Sequence, residues 1–135
     1  MMKIMIIDGQ GGRIGKILVE ELLKKDLPCS LLVIGTNALA TAAMLKGGAQ
    51  EAATGENPVI FNAPDMDYIL GPIGICLANS LNGEITPRMA EAVSSSRARK
   101  ILIPMSKCNH FVAGTDTSLP LNELIRIAIN EIKIV

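Results

Sequence analysis

The sequence predicts an α/β protein, a Rossmann-like three-layer sandwich with a mostly parallel sheet of five to six strands. Three observations carry that expectation. Short apolar runs such as Lys3–Ile7, Ser30–Ile34 and Lys100–Ile103 lack the in–out alternation of a half-exposed strand, as strands covered on both faces do. Segments of helical period separate these runs. Gly/Pro/Asn/Asp turns punctuate almost every junction, and strand–helix alternation calls for right-handed crossovers and a parallel sheet.

The elements follow in order. Lys3–Ile7 is the first strand. From Ile14 the period changes: Ile14, Ile17, Leu18, Val19 and Leu22 mark one face, while Lys16, Glu20, Glu21, Lys24 and Lys25 take the other, an amphipathic helix. Asp26-Leu-Pro28 ends it. Ser30–Ile34 is the second strand, stopped by Gly35-Thr36-Asn37. Ala38–Lys46 is an alanine-rich helix ended by Gly47-Gly48. Ala49–Asn57 reads as irregular, with room for a short strand and a turn. Val59–Phe61 and Tyr68–Leu70 read as strands, the latter closed by Gly71-Pro-Ile-Gly74, and Ile75–Ser80 as a helical turn. Thr86-Pro87 predicts an N-cap followed by proline at the first helical position, with the helix running to about Ser96 and Ser94–Ser96 as its fraying end. Lys100–Ile103 is a strand halted by Pro104, His110–Ala113 a last strand, and Leu121–Ile134 the closing helix. On that helix Ile127 and Ile134 fall off the core side. This predicts a subunit contact, most simply in a homodimer.

The 135 residues fit one domain, residues 1–135. Apolar residues make up 49%. The core must be aliphatic, because the aromatic residues are Phe61, Tyr68 and Phe111. Thirteen basic residues balance thirteen acidic ones, so no net field steers the chain to nucleic acid or anionic membrane. Cys29, Cys76 and Cys108 form no Cys-x-x-Cys, which fits free thiols in the cytoplasm. The uncharged stretch Leu27–Leu45 is broken by Pro28 and Gly35, so it is not read as a membrane span.

In an open parallel sheet, ligands sit beyond the carboxyl ends of the strands. The segments expected there are Asp8–Gly15, Gly35–Asn37, Asn62–Asp65, Gly71–Gly74 and Pro104–Cys108. The first is the most informative. A Walker loop fails, because Gly15-Lys16 is followed by Ile17 and Gln10 stands where its first glycine would be. G-x-G-x-x-G fails at Ile14, whereas the longer spacing G-x-G-x-x-x-G matches at Gly9, Gly11 and Gly15. It follows a strand and opens a helix, where bare amides and the helix dipole favour an anion. Gly9, Gln10, Gly11, Gly12, Arg13 and Gly15 are therefore the candidate phosphate cradle, with Arg13 placed for a charge-assisted contact. The acid expected near the end of the second strand for a ribose is missing. Thr36 and Asn37 stand there and can face a sugar or cap the next helix, while Gly71, Pro72, Ile73 and Gly74 would border a second half-site. NAD, NADP and a mononucleotide all remain open as cofactor.

For chemistry the candidates are Asp8, Lys107 and Cys108, with His110 beside them. Asp8 can accept loop N–H groups, or approach a metal or a ligand hydroxyl. Cys108-x-His110 supplies only two ligands, so no metal site is assigned. No Lys follows Tyr68 by four, which removes the Tyr-x-x-x-Lys pair of short-chain dehydrogenases. The acids Glu51, Glu56 and Glu84 and the amide Asn57 fall in loops without spacing that assigns them roles. Three functions follow: a binder of a small phosphorylated ligand, a small NAD(P)-dependent oxidoreductase or other enzyme, and a non-catalytic sensor or assembly subunit.

Taken together, the strings "DGQGGRIG", "GTN", "ATGEN", "GPIGI", "GEITP", "KILIP" and "KCN" resemble a bacterial domain-of-unknown-function family of small Rossmann-like proteins, found largely in Firmicutes. The resemblance spans nearly the whole chain. It implies a free-standing single-domain protein and brings no ligand or catalytic residue with it.

Overall fold

The computed structural model describes residues 1–105, 109–115 and 118–134. The strands are β1 (Met2–Asp8), β2 (Cys29–Gly35), β3 (Glu51–Thr54), β4 (Tyr68–Pro72) and β5 (Arg99–Ile103). The helices are α1 (Arg13–Lys24), α2 (Ala38–Lys46), α3 (Glu56–Asn62), α4 (Pro87–Ser95) and α5 (Leu121–Asn130). The strands form one parallel sheet in the order β3-β2-β1-β4-β5. This is the doubly wound order, whose direction of winding reverses between β1 and β4.

The pleat of β1 distributes the core. Ile4 and Ile6 face Leu18, Val19 and Leu22 of α1, Met44 of α2, and Ile125, Ala128 and Ile129 of α5. Met5 and Ile7 face Val59 of α3 and Met89, Ala90 and Val93 of α4. Ile4 through Ile7 are fully buried, each contributing roughly 1.5–3 kcal/mol of transfer free energy. A strand packed on both faces has no polar side to show, which is why it reads as a continuous apolar run.

Three expectations change. Val59–Phe61 lies in α3, not in a strand. On a strand Val59 and Phe61 would share a face, yet Val59 is buried and Phe61 is 77% exposed. Gly55, at φ 108°, turns the chain after β3, and Pro58 is tolerated in the first helical turn. Asn62–Asp65 is consequently the last residue of α3 and the 3-10 turn after it, and lies at the amino end of β4, where Lys3 N–H, near the start of β1, donates to Asp67 at 2.8 Å. That segment is at the opposite edge from the other turns. His110–Ala113 is irregular, with Phe111 86% exposed; no alternating face is buried there, and β5 is the last described strand.

Other features match more closely. Ala49–Asn57 contains the short edge strand β3. Thr86 caps α4 by accepting Met89 N–H at 3.1 Å. Ser96, expected at a fraying end, is instead buried: it donates to the Ala63 carbonyl at 2.6 Å and accepts Ala98 N–H at 3.0 Å. The helical turn after β4 is a short 3-10 turn, Ile73–Cys76. The closing helix stops at Asn130, and Ile132 beyond it is still buried.

Candidate functional site

The segment Gly9–Gly12 joins β1 to α1 at the carboxyl edge, beside the reversal in winding. Gln10 and Gly12 both have positive φ, 49° and 75°, so the chain folds back on itself. Gly12 N–H donates to the Gly9 carbonyl at 2.9 Å. Gly15 is held by close approach: a Cβ there would lie 2.6 Å from Met44 Sδ and 2.8 Å from Asp8 Cβ. Gly11 is open, with nothing within 4 Å of such a Cβ.

Asp8 closes this loop from within. Its two oxygens accept Gly9 N–H at 2.8 Å and Gly15 N–H at 2.7 Å, and it is 4% exposed. Burial dominates its titration and lifts the carboxyl from 3.8 to about 6 against the pull of those two amides, with the Glu84 charge adding to the rise.

Glu84, brought in by the loop after β4, is the residue the sequence pattern left without a role. Its Oε1 accepts Thr36 Oγ1 at 2.5 Å, Asn37 Nδ2 at 2.8 Å and Gln10 N–H at 2.9 Å. Partial burial works to raise its pKa, but the Thr36, Gln10 and Asn37 donors outweigh burial and hold it below the ordinary glutamate value. Asn37 also donates to the Gln10 carbonyl at 3.0 Å, and its Oδ1 caps α2 by accepting Ala40 N–H at 2.9 Å. Thr36 and Asn37 are thus tied to Glu84 at the end of β2. Only position along the chain hides this carboxylate: its partners stand 48, 47 and 74 residues away.

On the β4–β5 side of the glycine loop a cleft of about 350 Å³ opens, within the range of small-ligand pockets. Asp8 and the segment Gly9–Ile14 form one wall, and Pro104, Met105, Leu119, Leu121 and Leu124 the other, with Leu81 between. Among the described residues no hydrogen bond reaches the backbone N–H groups of Gly11, Arg13 and Ile14. The amides of Gly9, Gln10, Gly12 and Gly15 are all taken by the protein itself.

The remaining sequence candidates lie elsewhere. Gly71 and Pro72 are the buried last residues of β4, and Ile73 and Gly74 start the 3-10 turn; none of the four is among the described residues lining this cleft. Lys107 and Cys108 lie outside the described residues, and His110 is exposed. Glu56 accepts Thr86 Oγ1 at 2.6 Å, supporting the start of α4. Cys29 and Cys76 are half-buried free thiols whose pKa values burial raises. Among the described residues no group of three or more His, Cys, Asp or Glu could hold a metal, and no helix is long and apolar enough to cross a membrane. A hollow of about 460 Å³ between α3 and α4 lies away from the strand ends, and its lining includes Ile60, Arg88 and Arg97.

Among solved structures, the chain is similar to a dodecameric FMN-dependent UbiX-like decarboxylase from Escherichia coli O157:H7. The identity is 14% and the TM-score 0.49, over 96% of this chain and 75% of that one. No curated protein matches the sequence. A family model matches residues 3–135, and the chain therefore belongs to the family described as domain of unknown function DUF3842.

Proposed function

We propose that this protein binds a small phosphorylated ligand of the nucleotide class, with its phosphate on the backbone N–H groups of Gly11, Arg13 and Ile14. The observation that carries this reading is that those three amides are unspent and lie on the wall of the cleft. Amides left unpaired at a helix start are ready donors to an acceptor, and the α1 dipole favours a negative one. Arg13 is exposed and adds charge where the phosphate would sit. The leucines opposite offer apolar surface to the body of the ligand. The reading takes the protein to be cytoplasmic and homo-oligomeric, most simply a dimer through Ile127, which is 54% exposed on α5.

Thermal unfolding in the presence of NAD, NADP, ATP, GTP, FMN and S-adenosylmethionine tests it. A ligand at about a hundred times its dissociation constant stabilises the fold by roughly 2.7 kcal/mol. Gly11→Ala supplies the control. With open space for the methyl group, it is expected to change stability by less than about 0.5 kcal/mol. It should weaken the ligand roughly tenfold by standing in the path of the phosphate. No shift with any of the six compounds, or full affinity in Gly11→Ala, would sink the assignment.

Asp8 favours a second reading. A carboxyl titrating at about 6 on the wall of a ligand cleft is suited to proton transfer, which makes the site that of an enzyme. Turnover of a bound ligand that disappears in Asp8→Asn, with binding retained, is the expected sign.

A further inference from the structure

The glycine loop divides the carboxyl edge of the sheet into two sides. A dinucleotide spans both in a doubly wound fold, one nucleoside toward β2 and the other toward β4. Here the two sides differ sharply. The β4–β5 side is the open, leucine-lined cleft. On the β2 side the polar groups that would meet a sugar or a second phosphate are already spent, because Thr36 Oγ1, Asn37 Nδ2 and Gln10 N–H all converge on one oxygen of Glu84.

We propose that Glu84 sets the ligand class of this site by seating its carboxylate where the second nucleotide half would lie, restricting the glycine loop to phosphomonoesters and excluding dinucleotides. The inference rests on the phosphate-binding reading above and names the ligand class within it.

Packing supports it. A Cβ on Gly9 would lie 2.7 Å from Thr36 Oγ1, 2.9 Å from Glu84 Oε1 and 2.9 Å from Leu81 Cδ1. The loop after β4 therefore packs directly against this end of the glycine turn, with Glu84 Oε1 and Thr36 Oγ1 occupying the space beside Gly9. Charge supports it too. The carboxylate is held ionised by three donors, and a second phosphate brought to the same place would meet a like charge at short range.

The seat is filled by a shaped loop. Asn79, Leu81, Asn82 and Gly83 all have positive φ, from 55° to 85°. Leu81, a bulky residue in that region, is uncommon and requires surrounding contacts to hold it. Those contacts are present: Asn79 N–H donates to the Ile85 carbonyl at 2.7 Å, Glu84 N–H to the Leu81 carbonyl at 3.1 Å, and Ser80 Oγ to the Gly74 carbonyl. Leu81 itself is 7% exposed. A backbone constrained in this way presents Glu84 as a standing part of the site.

Matched ligand pairs test the assignment, since each shares one half: nicotinamide mononucleotide with NAD, and FMN with FAD. Dissociation constants are measured by calorimetry for the wild-type protein, Glu84→Ala and Glu84→Gln, each checked for folding by circular dichroism and urea unfolding. The quantity read is the ratio of dinucleotide to monoester dissociation constants. The wild-type protein should favour the monoester of a pair, and Glu84→Ala should lower that ratio at least about tenfold. Glu84→Gln keeps the size and removes the charge, so it should lower the ratio by a smaller factor; it decides the matter if Glu84→Ala does not fold. Equal or better dinucleotide binding by the wild-type protein overturns the inference, as does an unchanged ratio in a folded variant. Monoester binding with an unchanged ratio removes the role of Glu84 alone. Failure of all four compounds on every variant removes the phosphate site, and this inference with it.

Discussion

Gly71→Ala is expected to destabilise the protein by about 3 kcal/mol, the upper end of the usual cost of overpacking, and to lower Tm by roughly 10 °C. A Cβ at position 71 would lie 2.4 Å from the Ile7 carbonyl oxygen and 3.0 Å from Ile75 Cδ1. The first of these is backbone of the neighbouring strand β1 and cannot rotate away. Relief requires β4 to shift against β1, and β4 is paired on its other edge with β5 in unbroken register from Tyr68↔Arg99 to Pro72↔Ile103. Urea unfolding at constant m is the measurement. Wild-type stability in Gly71→Ala would show that the β1–β4 contact is looser than described. The comparison with Gly11→Ala is informative, because two glycines that look alike in the sequence carry opposite requirements, one steric and internal, the other an open approach.

The second large effect is a pH dependence carried by Asp8. Its folded pKa, about 6, lies above its ordinary value of 3.8. Between those values the folded state binds more protons than the unfolded state, so the contribution of Asp8 to stability rises as pH falls from 7 toward 4. A shift of about two units corresponds to roughly 3 kcal/mol. Glu84 acts with the opposite sign. Its carboxyl is held below the ordinary value, so its contribution is present above that value and is lost as pH falls further. Stability measured from pH 4 to 7.5 in the wild-type protein and in Asp8→Asn separates the two. The difference between the curves should change by about 3 kcal/mol across the window around pH 5, whatever constant offset the lost amide acceptor introduces. Parallel curves would mean that Asp8 is better solvated than its burial indicates.

Much of the architecture was legible in the residues because it rests on local period. The buried runs of β1, β2 and β5 match both-face burial, Thr86-Pro87 marks the start of α4, and Ile14–Leu22 shows the face of α1 directly. Val59-Ile-Phe61 misled because three apolar residues are too short to distinguish period 2 from period 3.6. His110–Ala113 misled because a run of strand-forming residues needs a neighbour to pair with, and pairing is not a local property. The candidate site was legible in part. The Gly9–Gly15 segment declares a turn into a helix, and the role of Asp8 as acceptor of loop N–H groups follows from where β1 ends.

The sequence by itself determined that this is an α/β chain with a parallel sheet, a glycine turn opening its first helix, and an aliphatic core. Those properties depend on neighbours within one turn or one strand. Tertiary structure alone decided that Glu84 takes Gln10 N–H, Thr36 Oγ1 and Asn37 Nδ2, while among the described residues the amides of Gly11, Arg13 and Ile14 stay open. The physical reason is distance along the chain. Glu84 reaches Gln10 across 74 residues, through a loop whose left-handed residues set its direction, and no pattern in a window of the sequence records where such a loop will place a carboxylate.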